Sequence, residues 1–152
     1  MRNMVIRDRA RLFHVSEAAN LALHAMAVLA GSGDRAVRTR EIADNLQVSA
    51  AHLAKVMAML ERAGLVTGTR GPCGGYRLTR PGAGVTLAEI YEAIEGPLGA
   101  GTCIFGIPIC NGSRCPLGKY FSQVNRNAAA KLRKTRLSEI NLTGRAKHGK
   151  KA

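Results

Sequence analysis

Between residues 16 and 79 the spacing of apolar residues changes once, at Gly64, and that change limits what this chain can fold into. Before it the spacing is helical. Leu53, Val56, Met57 and Leu60 fall at i, i+3, i+4 and i+7, on one face of a helix. Ser49 is the expected N-cap of that helix and Gly64 its stop. Residues 16–30 read as an earlier helix, with Leu21, Met26, Val28 and Leu29 as its bulky apolar side chains and Gly31 and Gly33 ending it. Residues 39–46 form a short helix between the two, with Ile42, Ala43 and Leu46 on one face, and Gln47-Val48 makes a tight turn. Beyond Gly64 the runs 65–70 and 75–79 read as short strands joined by Gly71-Pro72-Cys73-Gly74. Helix, helix, turn, helix, hairpin is the order of a winged helix-turn-helix. The predicted fold class is therefore mainly α with a small β-hairpin wing.

Downstream, residues 81–84 read as a linker. Thr86 and Glu89 have the spacing of a capping box. Leu87, Ile90, Tyr91 and Ile94 make one apolar face, and Gly96-Pro97 ends that helix. Residues 99–118 carry three of the four cysteines among Gly and Pro. A last long helix is expected over about 119–137, with Val124, Ala128 and Leu132 at spacing four. The resulting division is a basic arm (1–14), a winged helix-turn-helix domain (15–97), a cysteine loop (98–118), a long helix (119–138) and a disordered basic tail (139–152).

The formal net charge is +13, which points to a polyanionic partner. Residues 35–80 hold eight Lys/Arg against three acids, and 131–152 hold eight against one. Residues 81–112 have no Lys or Arg and three Glu, so the charge sits on the helix-turn-helix and the tail. With no Trp, three Phe and three Tyr, stacking on nucleobases is not the expected mode of binding. No apolar run spans a bilayer and no signal-peptide core follows the first residues, so a cytoplasmic protein is expected, with no membrane partner. A phosphate-binding loop, a Cys-x-x-Cys pair and a convincing acid/base cluster are all missing, which argues against an enzyme.

If the apolar stripe of the third helix faces inward, Ala51, Lys55 and Arg62 face outward, with His52 at the flank. Ser49, Ala51, His52 and Lys55 lie in the first two turns, the part of a recognition helix that reaches base edges. In the hairpin, Arg70 and Arg77 flank a Gly-rich tip that lets backbone approach DNA closely. Arg70 is placed to enter a minor groove.

The stretch TREIADNLQVSAAHLAKVMAMLERAGLVTGTRGPCGGYRLTRP, followed by GVTLAEIYEAIEGPL, resembles the IscR and NsrR family of bacterial regulators (the Rrf-two superfamily). That family's wing reads Arg-Gly-Pro-Gly-Gly-Gly-Tyr, and here it reads Arg70-Gly71-Pro72-Cys73-Gly74-Gly75-Tyr76. The resemblance covers about residues 15–137. It implies a homodimer, of the repressor type, held together by the long C-terminal helix. It also implies contacts to double-stranded operator DNA by Thr39, Ser49, Ala51, His52, Lys55, Arg70, Gly71 and Pro72. Cys73 stands where the family has Gly, and Ala54 where some members have an acid.

Three thiolates in a Gly/Pro-rich loop suit one soft metal centre. Read from the residues alone, an iron–sulfur cluster, structural zinc and reactive thiols all remain open. The resemblance implies a cluster held by Cys103, Cys110 and Cys115, with 4Fe–4S favoured over 2Fe–2S. It further implies a fourth ligand from the first helix of the other subunit, at Asn20 or His24, and nitric oxide, oxygen or iron as the signal. The rival expectation is a regulator of the same family without a cluster, responding to zinc, thiol oxidation or a small ligand.

Overall fold

The structure is a computed structural model that describes residues 13–99, 115–140 and 142. Its first helix, α1 (Glu17–Gly31), starts where the Ser16 hydroxyl accepts the Ala19 N–H at 3.1 Å. This helix is the centre of the fold. Ala19, Ala22, Ala25 and Ala27 are buried with Leu21, Met26 and Leu29, and the small side chains let neighbours approach closely. Helices α2 (Thr39–Leu46), α3 (Ala50–Arg62) and α4 (Leu87–Glu95) all pack on it. The inward face of α3 is the expected one, with Leu53, Val56, Met57 and Leu60 each at most 1% exposed.

Helix α3 stops by backbone bonding around Gly64. The Leu65 N–H returns to Leu60 O at 3.0 Å and the Gly64 N–H to Glu61 O at 2.9 Å, with Gly64 at φ +72. This is a Schellman ending, and it needs a left-handed residue at that place. Strands β1 (Val66–Thr69) and β2 (Gly75–Leu78) then pair antiparallel, Val66 opposite Leu78 and Thr69 opposite Gly75. Each strand is shorter than its sequence-predicted run.

Helix α4 begins with the expected capping box. The Glu89 N–H donates to Thr86 Oγ1 at 3.2 Å, and the Thr86 N–H donates to Glu89 Oε2 at 2.8 Å. Burial works to raise the Glu89 carboxyl. The Thr86 N–H, Arg80 and the Thr86 hydroxyl outweigh it and hold the group below its ordinary value of 4.5. A carboxyl lowered on folding stabilises fully above its unfolded value and loses that contribution as pH falls through the folded one. Glu89→Gln should therefore lower the urea midpoint at pH 7, with the gap to wild type closing towards pH 3. Thr86→Ala should cost about 1 kcal/mol at neutral pH.

The last long helix, α5 (Pro116–Lys134), starts and ends about three residues earlier than the sequence predicts. After Lys134 the chain turns back. The Leu87 N–H donates to Thr135 O at 3.0 Å, and the Leu137 N–H to Val85 O at 2.8 Å. Leu137 is thereby fully buried in the same core as α1 and α3. The end of the expected helix is thus an integral part of the helix-turn-helix core. Residues 139 and 140 of the expected tail are ordered beside it, in and after a 3-10 turn at Leu137–Glu139. The rest of that tail, apart from Leu142, lies outside the described residues, as does the arm before Phe13.

The buried face of α5 also differs from the expected one. Gly118, Ser122, Asn125 and Ala129 are buried, while Val124, Ala128 and Leu132 are half-buried. Helix α5 packs on α4. Asn125 Oδ1 accepts the Phe13 N–H at 2.6 Å, and Phe13 stacks on Tyr91 of α4 with ring centres 5.4 Å apart. A row of Leu117, Phe121, Val124, Ala128 and Leu132 is left partly open, with Leu117 55% exposed. Among the described residues, no helix is long and apolar enough to cross a membrane.

Candidate nucleic-acid interface

The turn between α2 and α3 is made by Gln47, in the left-handed region at φ 57 and ψ 44. It is the one described non-glycine residue with positive φ. Local bonds offset the strain: Gln47 Nε2 donates to Asp44 O at 2.9 Å, and the Val48 N–H to Ala43 O at 3.0 Å. Ser49 then caps α3, its Oγ accepting the His52 N–H at 3.4 Å. With the apolar face of α3 inward, Ala51, Ala54, Lys55, Ala58 and Arg62 are exposed. His52 is half-buried and leans towards α1, its Nδ1 3.7 Å from Glu17 Oε1. Thr39 is half-buried as the first residue of α2.

Arg70, Gly71, Pro72 and Cys73 are exposed at the hairpin tip. The Gly74 N–H closes the turn on Gly71 O at 2.9 Å. Two glycines here are required by space. A Cβ on Gly74 would lie 2.3 Å from Thr69 O, and one on Gly75 (φ +149) would lie 2.6 Å from Val37 C and O. Cys73 is not among the positive-φ residues, so a side chain replaces glycine there without backbone strain.

The hairpin is tied to the helices at several points. Val37 and Tyr76 exchange two backbone hydrogen bonds of 2.8 Å. The Gly68 N–H donates to Glu61 Oε1 at 2.9 Å, joining β1 to the end of α3. Burial, and then the nearby Glu61 charge, push the Tyr76 phenol up, so it stays neutral at physiological pH. Arg38 Nη2 donates to the Pro72 carbonyl at the tip. Val37, Arg38 and Glu61 are missed by the reading of the sequence. The available signal was an Arg at the N-cap of α2, a place that Ser, Thr, Asp or Asn usually take.

The charges of this surface are largely uncompensated. Among the described residues no acid lies within ion-pair distance of Lys55, Arg62, Arg70 or Arg77. Glu41, on the first turn of α2, is paired with Arg35 through bonds of 2.7 and 3.1 Å, which hold its carboxyl below the usual range. The exposed face of α3 and the wing thus form one positive surface, the arrangement that meets a phosphate backbone.

Of the sequence-predicted metal ligands, Cys103 and Cys110 lie outside the described residues. Cys115 is the N-cap of α5, half-buried, with Sγ accepting the Gly118 N–H at 3.3 Å. Asn20 and His24 are exposed on α1, one turn apart. His24 Nδ1 lies 2.8 Å from Asn20 O, leaving Nε2 for another partner. The described residues alone bring no three His, Cys, Asp or Glu together. A soft sulfur donor at a helix start and an exposed imidazole do fit an iron–sulfur group in kind.

A family model described as "Rrf2: Iron-dependent Transcriptional regulator" matches residues 15–141. The HTH-type transcriptional regulator IscR of Cereibacter sphaeroides is 38% identical over 82 residues, 54% of this chain and 53% of that protein. The chain spans about half the length of the curated relatives it matches. Among solved structures, IscR of T. potens is similar with a TM-score of 0.67 and 25% identity, covering 84% of this chain and 85% of that one. CymR of B. subtilis, described as the global cysteine regulator, has a TM-score of 0.71 at 23% identity, covering 84% and 95%. That second likeness is one of fold.

Proposed function

This chain belongs to the Rrf2 family of iron-dependent transcriptional regulators, a family of regulators and not of enzymes, and from that premise we propose that it binds operator DNA as a homodimer under the control of an iron–sulfur cluster. The observation that carries the DNA-binding reading is the shared anchoring of its two basic projections. The outward face of α3 and the wing stand on one core; Glu61–Gly68 ties the wing to the end of α3, and Val37–Tyr76 ties it to the segment before α2. The α3 N-terminus, with Ser49, Ala51, His52 and Lys55, enters the major groove. Arg70, Gly71 and Pro72 follow the adjacent minor groove, and Thr39 meets the backbone. The partly open row on α5, Leu117 to Leu132, supports dimerisation through that helix.

Residues 15–97 act in this reading as the DNA-binding domain, the segment from 98 to the α5 cap Cys115 as the cysteine loop, and α5 as the dimer contact. Cys103, Cys110 and Cys115 hold the cluster, completed by Asn20 or His24 of the partner subunit. When bound, the cluster supplies a centre that nitric oxide, oxygen or iron shortage alters. The chain's part is mechanical. Cys115 caps the first turn of α5, α5 packs on α4, and α4 packs on α1 and α3. A change at the loop therefore has a packed route to the recognition helices, and two states with different DNA affinity make a switch.

The test is titration of anaerobically purified protein with a duplex selected from a random-sequence pool, alongside iron and acid-labile sulfide assays. Affinity should fall by about a hundredfold or more between 50 and 200 mM salt, since phosphate neutralisation releases counterions. Affinity unmoved by salt would count against operator binding. Iron and sulfide in matching amounts would support the cluster. Salt-dependent binding by protein that holds no iron after reconstitution would leave a regulator of this family without a cluster.

A further inference from the structure

The wing is tied to the helices at three places, and one of them is the Gly68 N–H to Glu61 Oε1 bond. On the tip-side half of β2, Val37 and Tyr76 are joined by paired backbone bonds. At its tip, Arg38 reaches across 34 residues of sequence to the Pro72 carbonyl. The other bonds near the tip, Gly74 N–H to Gly71 O and Thr69 Oγ1 to Gly75 O, are internal to the hairpin and do not orient it. Among the described residues, Arg38 makes the one hydrogen bond that residues 70–73 receive from outside the hairpin. Its side chain does not cap α2, so the residue gives up the usual role of that position. Arg38, Thr39, Arg70 and Gly71 border one groove between α2 and the wing. A guanidinium is a stiff, planar donor that holds direction better than an ammonium.

We propose that Arg38 is a positioning residue: it struts the wing tip against the start of α2 and so sets where Arg70, Gly71 and Pro72 stand relative to α3. Its effect on DNA affinity rests on the DNA-binding reading above; the strut does not. A direct phosphate contact by Arg38 is the competing role, and the two are separable.

In the free protein, 15N relaxation reads the strut. Arg38→Ala should lower the order parameters of the Gly71 and Cys73 amides from rigid values towards about 0.6, while the α3 amides keep theirs. Unchanged tip amides would overturn the proposal, whatever the protein does with DNA. On the selected duplex, Arg38→Ala should weaken binding by about fivefold or more, and by less than about twofold when Arg70→Ala is already present, because a strut acts through what it positions. Equal losses in both backgrounds would overturn the positioning role in favour of an independent phosphate contact. If wild type bound no duplex, the DNA-binding reading would fail, and the relaxation data alone would decide the strut.

Discussion

Leu137→Ala should destabilise the protein by about 2–5 kcal/mol, the cost of emptying a fully buried leucine site that cannot collapse. Leu137 has no exposed surface and belongs to the core built on α1 and α3, although α5 separates it in sequence from the rest of that core. Its backbone is also committed, because the Leu137 N–H bonds to Val85 O, and Leu87 bonds to Thr135 O on the other side. The neighbouring Ser138 is exposed, and Ser138→Ala should stay within about 0.5 kcal/mol. Urea unfolding of both variants at fixed protein concentration checks this, with concentration held because the proposed dimerisation would shift apparent stability. A Leu137→Ala midpoint equal to wild type would mean that the segment after α5 does not close the core. The corollary concerns dissection. A fragment cut before α5 would lack Leu137 and uncover the core around it, so the winged helix and the long helix should not separate into stable pieces.

That contact also explains where the sequence stopped being legible. The four inward residues of α3, the Ser49 cap and the Thr86–Glu89 box are local patterns, and each lies where its spacing places it. The end of α5 is not local. No Gly or Pro stops the helix near Lys134, and Leu137 could continue it as a helical residue. What ends it is pairing with residues 85–87, some fifty positions earlier, a tertiary contact that propensity does not encode. The buried face of α5 escaped for another reason. Ser122 and Asn125 look like surface residues by hydropathy, but their small size permits close packing, and the Asn125 amide meets the Phe13 N–H. In the basic surface, the outward residues of α3 were legible as the complement of its buried stripe. Arg38 was not, because its partner is a backbone carbonyl on a distant turn, which leaves no trace in residue type. The cysteines show the limit from the other side. Their chemistry is visible in the sequence, whereas their meeting depends on a segment of which only Cys115 is described.

On the proposed cluster reading, Cys115→Ser should fail to hold the iron and sulfide that reconstituted wild type holds, while leaving the helices intact. The two effects separate because Cys115 caps a helix and, in the proposal, is also a ligand. Its Sγ caps α5 by accepting the Gly118 N–H, and serine is among the best N-cap residues, so the fold keeps its cap. As a soft ligand, however, serine is a poor substitute for thiolate. Circular dichroism equal to wild type together with lost iron would identify Cys115 as a ligand and exclude unfolding as the cause. Cys103→Ala and Cys110→Ala should lose iron to the same extent, since three thiolates acting as a unit do not fail by thirds. Cys73→Ala should keep the full iron content, because Cys73 is exposed on the wing tip, away in sequence from the cysteine loop. The same four proteins carry a second readout. If the cluster sets operator affinity, the three loop variants should share one DNA affinity, that of the iron-free state, whereas Cys73→Ala should track wild type through reconstitution. A Cys115→Ser protein that stays brown with undiminished iron would remove Cys115 from the ligand set, and with it the mechanical link from the loop through α5 to the recognition helices.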